Sequence, residues 1–450
     1  MTDTLHALID GLPAAEAGNW RVLADKALRG ADFDATLVRQ TGDAFARGPV
    51  FFDAERSGNA APARTDAYLP WQIRQTFTEP EPVTVNNTIH ADLMGGVSQI
   101  GLQIDPSAAF GTAIGNGNDL AQALAGVDLA IAPVFLEPGH EFDAEQFASW
   151  MKAAGAVKAG LGLGAEDGRL AGLAVDHPTF CIASIDARSV HETGGSEVQE
   201  IAFAAAGYAS ALGTLIDAGI SPEQAATQIE VIFAADADIH LTISKIRAGY
   251  LVLQNILSAY EGEDTTPHIR AVTSGRMMTK QDPWNNMIRT SAAGFAAATA
   301  GVPTLTVLPA TQALGRPDRL ARRSARNLQV LLQEESHIGL VADPAAGAFL
   351  HEHLTMQLGE RAWSVFQSVE ADGGYASLSD SSDFTRDVVA KRHALQQQYR
   401  DGTRVLFGIN RFAAPDLREM KFECGRIPPS SHPLFPSIRL EESALEGASS

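Results

Sequence analysis

Residues 273–291, TSGRMMTKQDPWNNMIRTS, concentrate polar chemistry in one short run. Gln281, Asp282, Asn285, Asn286 and Arg289 crowd around Pro283. A proline at this point can open a helix, because its φ is already helical and the N–H it lacks is not needed in the first turn. The run follows a buried-looking strand, so it reads as a loop built for contacts at a strand end. Arg289, Arg74 and Arg247 are the anion candidates. Each sits in a motif beside apolar strand or helix residues, and structural ion pairing competes evenly with ligand binding at each. Ser189, His191 and Glu192 lie together in one loop. A Ser–His pair could form a nucleophile, yet two residues of separation do not establish a hydrogen bond, and no orienting acid can be named. The stronger reading is a helix start: Thr193, Gly194, Gly195 and Ser196 precede Glu197 and Glu200, giving an N-cap with acids in the first turn.

Other motifs carry less. The glycine run AGLGLGAEDG (159–168) lacks the Lys-Ser/Thr of a phosphate loop and the full GxGxxG that opens a helix, so a tight turn is favoured. His351 and His353 are two residues apart and cannot share a helix face, which excludes a zinc pair there. The basic run 316–326 reads as a solvated helix face from which Arg326 turns inward.

The elements that must position these residues alternate. Eight short, nearly continuous apolar runs read as parallel strands covered on both faces: 98–104, 128–135, 157–163, 179–185, 229–235, 269–274, 303–308 and 337–342. Helical periodicity fills most intervals, most clearly at 196–219, 240–260, 284–300 and 318–335, and again at 344–370 and 383–399. Eight such units imply a (β/α)8 TIM barrel of the α/β class, with Ser189 and His191 after the fourth strand on the face where such barrels keep their active sites. Residues 1–64 read as a helical arm and a Gly/Pro/Ala-rich connector, 65–412 as the barrel and 413–450 as a linker-like tail.

Composition narrows the partners. The net charge of −20 disfavours nucleic acid and anionic membrane, although a polyanion such as coenzyme A could bind at local arginines. Cys181 and Cys424 have no metal spacing and read as free thiols of a reducing compartment. The N-terminus lacks the basic start and apolar core of a signal peptide, so a cytoplasmic location is expected.

The run 273–291 resembles the strand-to-helix segment of the methylmalonyl-CoA mutase family. PWQIRQ (70–75), KIRA (245–248), SARNLQVLLQEES (324–336), VADPAAG (341–347) and GIN (408–410) extend the resemblance in order. The stretch at 20–41 is similar to the start of the small, or beta, subunit of the two-chain bacterial mutases. The resemblance implies a barrel that threads acyl-CoA along its axis beneath adenosylcobalamin, and a radical exchange of methylmalonyl-CoA and succinyl-CoA. It also implies losses. The family's first-motif arginine and tyrosine fall at Leu69 and Thr76, leaving Arg74. The family histidine falls at Ser189, with His191 displaced by two positions; Leu308 and Gln312 replace an Asn and a Glu facing the adenosyl group. Asp238-Ile239-His240 approximates the family's cobalt-ligand motif but lacks its glycine, and about 40 residues follow Asn410, fewer than the roughly 50 of a typical domain. The expectation is a catalytically silent supporting subunit, without metal or cofactor of its own, that binds a large catalytic subunit as a heterodimer, or a second copy as a homodimer, with adenosylcobalamin at the level of the complex. The alternatives are the acyl-CoA half of a split cobalamin mutase and a stand-alone acyl-CoA-binding protein. Arg74, Arg247, Gln281, His191 and Arg289 are the residues carried forward as substrate or CoA contacts.

Overall fold

The computed structural model describes residues 17–52, 70–138, 141–262, 265–413, 419–423 and 432–448. Leu69, Cys424, the connector at 54–66 and the first residues of the arm lie outside the described residues. Eight parallel strands close on themselves: β1 (Gln72–Phe77), β2 (Gln99–Ile104), β3 (Val134–Pro138), β4 (Ala159–Leu163), β5 (Cys181–Asp186), β6 (Ile229–Ala235), β7 (His268–Thr273) and β8 (Thr304–Thr306). β8 pairs with both β7 and β1, which shuts the barrel and leaves it no open edge.

The expected TIM barrel is therefore present, with two strands assigned differently. The apolar run 337–342 forms no strand: Ile338–Leu340 is a single 3-10 turn entered through His337 at a left-handed φ of 54°, and Leu340 and Val341 are half exposed. The missing strand is β1, inside the PWQIRQ motif. Its inward residues are polar, so it lacks the apolar signature of its neighbours. Ser189 and His191 consequently follow the fifth strand, not the fourth. The expected run at 128–135 is a turn as far as Ala132, where Asp128 accepts the amide of Ala130, and the strand begins only at Val134.

An exposed helix α1 (Ala17–Leu28) precedes the barrel. Around the strands lie α2 (Pro82–Leu93), α3 (Gly117–Ala123), α4 (Ala144–Ala153), α5 (Leu170–Asp176), α6 (Glu197–Asp217), α7 (Ile239–Ala259), α8 (Asn285–Thr299) and α9 (Arg319–Glu334). α10 (Phe349–Ala371) packs outside α6 and α7, and α11 (Asp383–Arg400) carries the final helix α12 (Leu440–Ala448). Ser196 caps α6 in a reciprocal capping box with Gln199, as its position before Glu197 predicts. Arg326 does turn inward, to Asp92 at 2.7 Å, and Gly95 makes this possible: a Cβ there would lie 2.2 Å from the guanidinium.

The segment following α1 is tied to the barrel. Arg47 bonds both oxygens of Asp238 at 2.9 Å, and Asp43 accepts the amide of Val198 at 3.1 Å, beside the start of α6. Burial, reinforced by the neighbouring Glu197 carboxylate, pushes the Asp43 carboxyl up to about 6 against the opposing pull of Ser196, Val198 and Lys391. A folded-state pKa raised above the unfolded value gives stability that is complete below about 4 and lost as pH rises through about 6. The shift sets an upper bound of about 3 kcal/mol. Asp43→Asn keeps an acceptor for Val198 and cannot ionise. It should raise Tm at pH 8 by a few degrees and flatten the Tm–pH curve between pH 4 and 7. Superimposable wild-type and variant curves would refute this.

Candidate functional site

The lumen of the barrel is built from charges that face inward. On β1, Arg74 donates to Gln99 Oε1 at 2.9 Å and grips both carboxylate oxygens of Glu230 at 2.8 and 2.9 Å. On β7, Arg270 reaches Glu137 at 2.7 Å and Glu230 at 3.4 Å. One carboxylate, Glu230, thus sits between two guanidinium groups, and Arg74, Glu230 and Arg270 are all at most 3% exposed. The Arg74 guanidinium also stacks 3.5 Å from the centre of the Phe135 ring. That ring occupies the place a side chain at Gly160 would take, since a Cβ there would lie 2.3 Å from it. Burial opposes ionisation of Glu230, but Arg74 and Arg270 outweigh it and hold the carboxyl down at about 2.

Above this layer the lumen widens into a cavity of about 530 Å³ at the C-terminal mouth. Its wall includes Thr76, which donates weakly to Glu137 at 3.3 Å, and Arg188, which forms a double hydrogen bond to Asp186 at 2.6 and 2.7 Å. The glycine run of the sequence is β4 and its exit, and the tight-turn reading holds in a stronger form. Gly162 adopts φ +69°, a register irregularity falls between Gly160 and Leu163, and the bare backbone leaves room for the cavity. The roof is supplied by Ser437, Ile438, Arg439 and Glu442.

Most residues singled out in the sequence lie outside this cavity. Ser189 Oγ donates to the carbonyl of Asp186 and is 1% exposed; no nucleophile–base pair with His191 forms. His191 is fully buried behind the mouth, between Glu200 at 3.4 Å and Asp236 at 3.1 Å, so the acids the sequence could not name are these two. Glu200 also binds Lys245 at 2.6 Å, and Asp236 binds Arg276 at 3.1 Å. Arg276 in turn donates to the carbonyls of His191 and Gly195. Burial resists the Asp236 charge, but His191 and Arg276 prevail and depress its carboxyl far below the usual range. Arg247 spends its guanidinium on Asp343 and Glu352, between α7 and α10. Arg289 bonds Thr279, Asn286 and the carbonyl of Phe407, and Asn286 closes four further bonds to Thr279 and Ala310. The polar density of 273–291 therefore knits a loop to a helix. Gln281 has an exposed side chain, and its amide donates to Glu441. His240, in the motif nearest a cobalt-ligand signature, pairs with His351 at 3.0 Å at the start of α7.

Of the carried-forward residues, Arg74 alone lies in the lumen. Glu230, Arg270, Glu137, Arg188 and Asp186 escaped attention in the sequence. A signal for two of them existed: Glu230 and Arg270 are single charges inside the otherwise apolar strands IEVIFAA and HIRAVT. Among the described residues no group of three His, Cys, Asp or Glu side chains is placed to hold a metal, and no helix is long and apolar enough to cross a membrane. Cys181 is a buried free thiol in the cavity wall.

Residues 173–433 match the family model for methylmalonyl-CoA mutase. The chain belongs to the methylmalonyl-CoA mutase family. It is 34% identical over 404 residues to the methylmalonyl-CoA mutase small subunit of Streptomyces virginiae, covering 84% of this chain and 64% of that protein. The small subunit of Porphyromonas gingivalis is 33% identical over 247 residues, 54% of this chain and 40% of that one. Methylmalonyl-CoA mutase of Escherichia coli is 30% identical over 239 residues, 52% of this chain and 33% of that one. The chain thus spans less than two thirds of the length of these relatives. Thr76 faces the mouth cavity; Ser189 does not line it.

Removing one member of a buried ion cluster strands the others. Glu230→Gln leaves Arg74 and Arg270 facing each other without their shared counter-ion, and should cost about 3–5 kcal/mol in urea unfolding. The Glu230 share of wild-type stability is fully present above about 4.5 and is lost as pH falls toward about 2. A loss under about 1 kcal/mol would show that the two arginines do not depend on this carboxylate.

Proposed function

We propose that this chain is a small-subunit-type component of an adenosylcobalamin-dependent methylmalonyl-CoA mutase, catalytically silent itself and supporting a large catalytic subunit. The observation that carries this reading is the filled lumen. An acyl-CoA threaded along the axis needs a channel one pantetheine wide. Here Arg74, Glu230, Arg270 and Phe135 occupy that axis, and clearing it would break two buried ion pairs. The surviving family arginine is then a packing element rather than a substrate contact.

The residues at the mouth do not fit adenosylcobalamin on this barrel. The family resemblance puts the cofactor over the C-terminal face, where residues 437–442 of this chain lie against the rim, and His240 is engaged by His351. In this reading the cofactor belongs to the large subunit. The contribution of the present chain is stabilisation of its partner by mass action. Helix α1 supports such a role. It buries no residue of its own, it exposes Val22 and Leu23 by 67% and 65%, and its Trp20 and Arg21 pack on Phe33 and Phe52 of the same arm.

Co-purification with a large mutase subunit, followed by turnover with added adenosylcobalamin, tests the proposal. A one-to-one complex is expected, with turnover unchanged within about twofold by Arg188→Gln in this chain. Turnover from this chain mixed with a stand-alone cobalamin protein, and lost in Arg188→Gln, would instead make it the catalytic half of a split mutase.

A further inference from the structure

We propose that residues 437–448 form an intramolecular lid, latched by the Glu441 carboxylate, that partly covers the barrel mouth and opens without unfolding the barrel. The lid covers a real space. Ser437, Ile438, Arg439 and Glu442 roof the cavity of about 530 Å³ whose floor is the Arg74–Glu230–Arg270 layer. The cavity is therefore floored by charges and partly covered from above by residues 437–442.

The latch is local and polar. Glu441 is 3% exposed, and its two oxygens accept the backbone amides of Lys280 and Gln281 at 2.8 and 2.7 Å. A carboxylate bonded to two amides in a nearly dry setting is held more strongly than a neutral acceptor would be. Further bonds align the segment: Ile438 N donates to the carbonyl of Glu192 at 2.8 Å, Leu440 N to that of Arg276 at 3.3 Å, and Arg400 Nε to Glu446 at 2.6 Å. The first two acceptors belong to the network behind the mouth, through Arg276 and the Arg188–Glu192 turn. The polar density of the 273–291 run thus has a use that its sequence did not reveal. Its backbone amides are the strike plate for a carboxylate located 160 residues further along the chain.

The hinge side is separable from the barrel. Leu440 and Ala444 pack with Tyr399, Leu406 and Ile409 in a small cluster distinct from the main core. No residue of 437–448 belongs to a barrel strand. Releasing Glu441 from its two amides therefore exposes a satellite cluster and leaves the eight-stranded sheet intact, which is the condition for a sub-global opening. The inference stands on the mouth geometry alone. Should it fail, the reading of a silent supporting subunit is untouched, and the converse also holds.

Two measurements on the full chain test it. In a Cys424→Ser background, Cys181 in the cavity wall is the remaining thiol. Its labelling by a small methanethiosulfonate reagent should quicken by roughly tenfold or more in Glu441→Ala, with the urea midpoint of the barrel unchanged. In the unaltered protein, hydrogen exchange at the amides of Lys280, Gln281, Ile438 and Leu440 should proceed as one group, ahead of the amides of β6 and β7. Equal labelling rates in the two proteins, or exchange of those four amides only together with the barrel strands, would make the segment a fixed wall and overturn the proposal. The second measurement needs no substitution and decides the matter even if Glu441→Ala does not fold.

Discussion

The structure turns on a single carboxylate placed between two arginines in a closed sheet. A barrel of eight strands must fill its axis with something, and most such axes are filled with layers of branched apolar side chains. Here β1, β6 and β7 bring Arg74, Glu230 and Arg270 to one level, and Gln99 and Glu137 complete their bonding. Arg74, Glu230 and Arg270 scarcely reach water. Ion pairs so deeply buried rarely contribute more stability than a well-packed apolar layer would, yet they tolerate the loss of a member very poorly. That asymmetry makes the layer rigid and self-specifying. It also sets what the barrel can hold, because a ligand along the axis would have to replace several charge-assisted bonds at once.

A second ring of charge surrounds the mouth and shapes it without lining it. His191, Glu200, Lys245, Asp236 and Arg276 form a continuous chain of contacts from α6 through β6 to the loop after β7. Glu200 also accepts the amide of Ala234, so the network fixes the end of β6 as well as the start of α6. The Arg188–Glu192 turn is held from the other side, where Glu192 accepts the amides of Gly275 and Arg276. The loops at the mouth are thus rigid where a ligand-gated site would be mobile. Residues 437–442 meet this network instead through backbone donors, Ile438 to Glu192 and Leu440 to Arg276.

How much of this was legible in the sequence follows from where the signals lie. Long helices such as α6, α7 and α9 announce themselves by period and cap, and β6 by seven consecutive buried residues. β1 was hidden by the chemistry that makes it interesting: Arg74 and Thr76 point into a polar lumen, so the strand shows neither an apolar run nor a simple amphipathic alternation. The run at 337–342 misled for the opposite reason, since its apolar residues sit half exposed beside a left-handed turn. The site was less legible than the fold. Motif resemblance pointed to Arg247, Gln281, His191 and Arg289; the Gln281 side chain faces solvent and the other three bind other parts of the scaffold. The lumen charges come from five different strands, and nothing in their spacing shows that they converge. The isolated charge within an apolar parallel strand was the available clue, and it points to Glu230 and Arg270 directly.

The family pattern becomes intelligible on these terms. Motifs such as PWQIRQ, KIRA and the 273–291 run survive in this chain because they hold the scaffold: Arg74 neutralises the lumen, Arg247 joins α7 to α10, and Asn286 with Arg289 pins the start of α8. Their persistence therefore says little about substrate. The mouth-facing positions are free of that duty: Thr76 faces the cavity and glycines leave the β4 wall bare. The barrel divides its duties accordingly. Its buried ions are too costly to break singly, whereas groups that meet only a ligand can be lost without destabilising the fold.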